Sequence, residues 1–146
     1  MTHSDGNRGQ TQDKPKLLLI EQNLPTAMSL VALLTQAGCE VEVATSGKAA
    51  LEIANEREFD LIVLDPDLPD VGGFETFLRL RQIPAISVTP IVFLARHSDD
   101  AGWRGSLELG AADYIERPFG GPVFVRRMLS HVKAKRCHDL VATEIP

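Results

Sequence analysis

Apolar residues follow two rhythms along this chain. Leu17-Leu18-Leu19-Ile20, Leu61-Ile62-Val63-Leu64 and Ile91-Val92-Phe93-Leu94 are unbroken apolar runs, the pattern of strands buried on both faces. Between them, apolar positions recur at helical spacing. Met28, Val31, Ala32, Leu34 and Thr35 mark a first helix, which Pro25 can open and Gly38 can close. Ser46 is an N-cap for a second helix over 47 to about 57, with Ala50, Leu51 and Ala54 inward. Phe74, Phe77, Leu78 and Leu80 mark a third, stopped by Pro84. Ser98 can cap a fourth, from about 99 to 109. Pro122 sits in the first turn of the last helix, which carries Val123, Phe124, Val125, Met128, Leu129 and Val132. Two shorter strands complete the set: Glu40 to Ala44, with Val41 and Val43 on one face, and Ala112 to Ile115.

The order is strand then helix, repeated five times, which implies an α/β domain with one parallel sheet covered on both faces. Crossovers in such a doubly wound sheet are right-handed. Its ligand site lies beyond the carboxyl ends of the strands, where the strand order reverses. Attention therefore falls on the residues just after the strands: Glu21, Gln22, Asp65, Ala95 and Arg117.

Composition narrows this little. A length of 146 residues, 44% hydrophobic and 24% charged, suits one ordinary globular domain. A net charge of −5 argues against direct nucleic-acid binding, which rewards a basic surface. No apolar run reaches the ~20 residues that cross a bilayer, and the polar start has no signal-peptide core, so a cytoplasmic protein is expected. Residues 1–14 read as a disordered extension, 15–136 as the domain, and 137–146 as a tail or the start of a linker. Cys39 and Cys137 lack metal or redox spacing and read as free thiols. His97, His131 and His138 read as surface residues, and the basic stretch Arg126 to Arg136 as a solvated face. Gly102 and Gly105 weaken the fourth helix by about 1 kcal/mol each, and Trp103 is either a partner-binding aromatic or packs on the core.

Glu21 and Asp65 both end apolar runs, and a parallel sheet brings those ends together. Two carboxylates and a loop carbonyl there make a hard-oxygen site suited to Mg²⁺. A carboxylate beside such an ion can attack phosphorus and form an acyl phosphate, with Arg117 neutralising charge on the transferred group.

At these residues the chain resembles the receiver domains of two-component response regulators. The resemblance covers residues 16 to about 135 and is carried by LIVLDPDLPDVGGFE and LELGAADYIERPF. It implies a five-stranded, flavodoxin-like fold. It also implies that Asp65 is the phosphoacceptor, Glu21 the first residue of the family's acidic pair and the Asp67 backbone carbonyl a metal ligand, with Gln22 a further candidate. Tyr114 falls on the switch aromatic, Ala95 on the Thr or Ser position, and Arg117–Pro118 on the family's cis Lys-Pro bond. A histidine kinase or phosphotransfer protein would be the phosphoryl source. The face of the fourth helix, fifth strand and last helix would meet an output partner or a second copy.

The chain departs from the family pattern at its site. Glu21 adds a methylene, Gln22 removes a charge, Ala95 has no hydroxyl, and Arg117 is a planar fork where the family has Lys. The hydroxyl's charge-assisted hydrogen bond is worth roughly 1.5–3 kcal/mol, so impaired switching is expected. If the Asp67 side chain also faces the site, Glu21, Asp65, Asp67 and Arg117 sum to −2, the family's usual value, and Mg²⁺ binding is expected to survive in weakened form. No helix-turn-helix fits after residue 135, so output is expected through a partner or a domain outside this sequence.

Two alternatives belong to other classes. One is a pseudo-receiver, the same fold binding proteins without phosphorylation. The other is a haloacid-dehalogenase-like phosphatase, suggested by LDPDL, but those enzymes place that motif on the first strand and need a later Lys or Thr. A flavodoxin that binds FMN is disfavoured, since EQNLPT is not a glycine- and hydroxyl-rich phosphate loop.

Overall fold

The computed structural model describes residues 14–95, 105 and 107–144. Five strands, β1 (Lys16–Ile20), β2 (Glu40–Ala44), β3 (Leu61–Leu64), β4 (Ile91–Ala95) and β5 (Asp113–Glu116), form one sheet. Its order is β2-β1-β3-β4-β5, and each neighbouring pair is parallel. The helices are α1 (Leu24–Gln36), α2 (Gly47–Glu56), α3 (Gly73–Arg81) and α4 (Gly121–Glu144), with a 3₁₀ turn at Pro84–Ile86. The fourth helix expected from the sequence lies largely outside the described residues, as do Trp103, His97 and residues 1–13; Gly105, Leu107 and Glu108 are helical. Among the described residues no helix is long and apolar enough to cross a membrane.

Strand alternation divides the core in two. Leu17, Leu19, Leu61, Val63, Val92 and Leu94 pack with Leu30 and Leu34 of α1 and Phe124, Met128 and Val132 of α4. Leu18, Ile20, Ile62, Leu64, Ile91 and Phe93 pack with Ala50 and Ala54 of α2 and Phe77 and Leu80 of α3. This is why the strands read as continuous apolar runs: both faces are covered.

Two details differ from expectation and one completes it. The buried face of α1 is Ala27, Leu30 and Leu34, while Met28 is exposed. A periodicity counted from large side chains misses a seam that starts on a small one. The α1 cap is Asn23, whose side chain accepts from the Thr26 N–H, with Pro25 in the first turn. His131 is not a free surface residue: its Nε2 lies 3.0 Å from Asp113 Oδ2. Arg127 Nη2 binds the same carboxylate at 2.5 Å, tying β5 to α4. The Asp113 carboxyl is held below its ordinary range: burial opposes ionisation, but the bonds from His131, Arg127 and the Tyr114 N–H outweigh it.

The amino end of α2 is closed from two sides. Ser46 Oγ accepts from the Ala49 N–H, as expected, and Asp70 Oδ1 and Oδ2 accept from the Gly47 and Lys48 N–H groups at 2.9 Å each. Those bonds lower the exposed Asp70 carboxyl to about 2. A carboxyl lowered on folding stabilises the fold above its unfolded value of 3.8 and loses that contribution as pH falls toward about 2. Asp70→Asn should therefore melt below the wild type at pH 7, and the two melting curves should converge near pH 2. Thermal melts across that range check it.

Candidate functional site

The strand order reverses at β1, which has β2 on one side and β3 on the other. The carboxyl ends of β1 and β3 sit side by side there, with Ile20 registered on Leu64. The next residues, Glu21 and Asp65, are thus adjacent, and each is 1% exposed. Their backbones continue the ladder: the Glu21 N–H donates to the Ala44 carbonyl and the Asp65 N–H to the Ile20 carbonyl.

Arg117 follows β5 and reaches across the sheet end. Its Nη2 lies 2.7 Å from Glu21 Oε1 and 3.5 Å from Asp65 Oδ2. The Arg117–Pro118 bond is cis, as the sequence reading expects. Among the described residues the buried Arg117 Nε has no hydrogen-bond partner. Together with Gln22, Asn23 and Thr26, these side chains line a cleft of about 240 Å³. Asn23 and Thr26 were not singled out from the sequence; their signal was the turn directly after the first strand. Asn23 also donates its N–H to Glu21 Oε2 at 3.1 Å.

Asp67 does not enter as expected. It is exposed and does not line the cleft, and it reaches the site through its backbone. Its N–H donates to Asp65 Oδ1 at 2.8 Å, and its carbonyl accepts from Gln22 Nε2 at 2.8 Å. The charged groups lining the cleft are Glu21, Asp65 and Arg117, a formal sum of −1 in place of the expected −2. Ala95 ends β4, registered on Glu116. Tyr114 lies on β5, half-buried against the second core cluster.

Proximity separates the two carboxyls. Burial pushes Asp65 up to about 7, and its hydrogen bond and repulsion with Glu21 push the same way, against the Asp67 N–H and Arg117. Glu21 is lowered: burial opposes its ionisation, but its bonds to Asp65, Arg117 and Asn23 and the Arg117 charge outweigh it. Arg117 is nearer Glu21, at 2.7 against 3.5 Å, so ionisation is easier at Glu21 than at Asp65.

A second groove, about 670 Å³, lies at the opposite, amino end of the strands. Six of its charged side chains are paired with one another: Arg57 with Glu42, Arg136 with Asp60 at 3.5 Å, and Lys135 with Asp139 at 2.7 Å. The chemistry-bearing groups are at the other end.

The donor set does not suit a divalent ion as it stands. The carbonyl that would face the ion is taken by an amide N–H₂, and a guanidinium lies against both carboxylates. Among the described residues no three His, Cys, Asp or Glu side chains are grouped to hold a metal ion.

The fold and this sheet-end cleft agree with the comparisons. The family described as response regulator receiver domain matches residues 17–129. The transcriptional regulatory protein AfsQ1 of Streptomyces coelicolor is 39% identical over 114 residues, 78% of this chain and 49% of its own. A putative response regulator from Chloroflexus aurantiacus shares 30% identity and superposes with a TM-score of 0.78, over 83% of this chain and 99% of its own. The receiver domain of the sensor histidine kinase PA1611 from Pseudomonas aeruginosa, solved with magnesium coordinated in the active-site cleft, has the same fold at 23% identity, TM-score 0.76, over 82% of this chain and 98% of its own. The chain belongs to the response regulator receiver family of two-component signalling. Its flavodoxin-like fold is the one expected from its sequence. Receiver domains of this family work with histidine kinases and output domains. The chain spans about half the length of curated relatives such as AfsQ1 and 24% of a probable cyclic di-GMP phosphodiesterase of Vibrio cholerae.

Proposed function

We propose that this receiver accepts a phosphoryl group on Asp65 from a histidine kinase or phosphotransfer protein, with weakened switching. The observation that carries this is a buried nucleophile beside a cation with donors to spare. The Asp67 N–H fixes one carboxylate oxygen of Asp65 and leaves the other, Oδ2, facing Arg117. In the reaction Oδ2 of ionised Asp65 attacks phosphorus. The bond from phosphorus to the donor's imidazole nitrogen breaks, the nitrogen keeps the electron pair, and an aspartyl phosphate forms. The transferred oxygens need hydrogen-bond donors, and the unpartnered Arg117 Nε is one of these. Ala95 offers no hydroxyl to those oxygens, so the pull that would move β4 is missing. The face of β5 and α4, with the 99–109 segment, would then serve an output partner or a second copy in the cytoplasm, with no direct nucleic-acid contact.

A second reading is a docking module that works without phosphorylation. It is favoured by Asp65 being buried against Glu21, which pushes its carboxyl up to about 7 and weakens it as a nucleophile. Acetyl phosphate followed by intact mass separates the two. One added phosphoryl group, lost in Asp65→Ala, supports the first. No adduct on a folded protein, with or without Mg²⁺, overturns it in favour of the second.

A further inference from the structure

A divalent ion at this place in a receiver can do two jobs. It neutralises the paired carboxylates, and it bridges the turn after β1 to the carbonyl in the loop after β3. Two side chains of this protein already do both. The Arg117 guanidinium lies between Glu21 Oε1 and Asp65 Oδ2, at 2.7 and 3.5 Å. The Gln22 amide spans 45 residues of sequence to the Asp67 carbonyl at 2.8 Å.

We infer that Arg117 and Gln22 take the place of the divalent cation, so that the resting receiver is closed by its own side chains and does not respond to Mg²⁺. The argument is one of donors and acceptors. A metal ion needs lone pairs directed at it, and an amide N–H₂ brings protons instead. An acid at position 22 would supply a ligand; Gln22 supplies a donor aimed at the carbonyl the ion would need. Arg117 brings a permanent positive charge whose Nη2 faces both carboxylates, at 2.7 Å from Glu21 Oε1 and 3.5 Å from Asp65 Oδ2. The two replacements are complementary. Arg117 alone would leave the Asp67 carbonyl open, and Gln22 alone would leave the carboxylates repelling each other. An ion entering the 240 Å³ cleft must displace the guanidinium from Glu21 and the amide from Asp67. This goes beyond weakened affinity. It assigns the ion's charge and its bridging role to named side chains, and it stands whether or not Asp65 is phosphorylated.

The test uses MgCl₂ alone, with no phosphodonor, so its outcome is read apart from that of the acetyl phosphate experiment. Backbone amide spectra of the wild type at up to tens of millimolar Mg²⁺ should show no saturable shift at Asp65, Pro66-flanking or Asp67 signals. Its melting temperature should match that in EDTA. The double variant Gln22→Glu, Arg117→Lys should gain a saturable Mg²⁺ response at those amides. Its melting temperature should rise by roughly 4 °C at tenfold excess over its dissociation constant. A saturable wild-type shift at Asp65 and Asp67 overturns the inference. So does a double variant that is folded by circular dichroism yet silent to Mg²⁺. If the double variant fails to fold, the wild-type titration decides alone: a saturable shift at Asp65 and Asp67 overturns the inference, and a flat response to tens of millimolar Mg²⁺ supports it.

Discussion

Replacing Arg117 with alanine should destabilise the protein by about 2–3 kcal/mol near neutral pH, out of proportion to a loop residue. The reason is what stays behind. Glu21 and Asp65 are each 1% exposed and would face one another without a cation. Removing one partner of a buried pair commonly costs ~3–5 kcal/mol, because an uncompensated charge remains. The Arg117 side chain is 25% exposed, so water screens part of this and the lower figure applies. Arg117→Lys keeps the charge and should lose less, about 1 kcal/mol, because the ammonium must reset the 2.7 Å contact with Glu21 Oε1. Adding Glu21→Gln to Arg117→Ala should recover part of the loss, since it removes the stranded charge. Denaturant melts of the wild type, Arg117→Ala, Glu21→Gln and the two together form a double-mutant cycle, and strictly additive effects would contradict the pairing.

Phe93→Ala should be costlier still, about 3–5 kcal/mol, lowering the melting temperature by roughly 10–15 °C. Phe93 is 1% exposed near the end of β4 and sits between Phe74 and Phe77 of α3, with ring centroids 5.4 and 5.6 Å away. The lost ring leaves a cavity and removes both aromatic contacts. It also unseats the helix on which the loop after Asp65 ends. Gly73, the first residue of α3, has no room to adjust there: a Cβ on it would stand 2.4 Å from Pro66 Cα. Phe93→Leu should cost markedly less. Equal losses for the two variants would show that volume at this point is unimportant.

The strands were legible because burial on both faces writes itself as uninterrupted apolar runs, as in Leu61 to Leu64. Ser46 was legible because capping is local. The placement of Glu21 beside Asp65 followed from parallel topology alone. What escaped the sequence was long-range or sized small. Arg117 and Glu21 are 96 residues apart and Gln22 and Asp67 are 45 apart. No local pattern says which atom of a loop a glutamine will meet. Asp70 closes a helix 22 and 23 residues earlier, a pairing that no local pattern marks. Met28 was misplaced because the α1 seam runs through Ala27, which periodicity weighs lightly. Asp67 was expected to contribute its carboxylate, and it contributes its peptide groups instead.

The loop after β3 carries a consequence for spectroscopy. The N–H groups of Gly47, Lys48 and Asp67 each point at a carboxylate and not into a ladder. A proton held by a single side chain exchanges with water when that side chain turns away, long before the fold opens. The Asp67 proton therefore reports the rotamer and chemical state of Asp65. Gly47 and Lys48, bound to Asp70 farther along the same loop, report the loop alone. The molecule thus contains both an indicator for its own central carboxylate and the internal standard against which to read it.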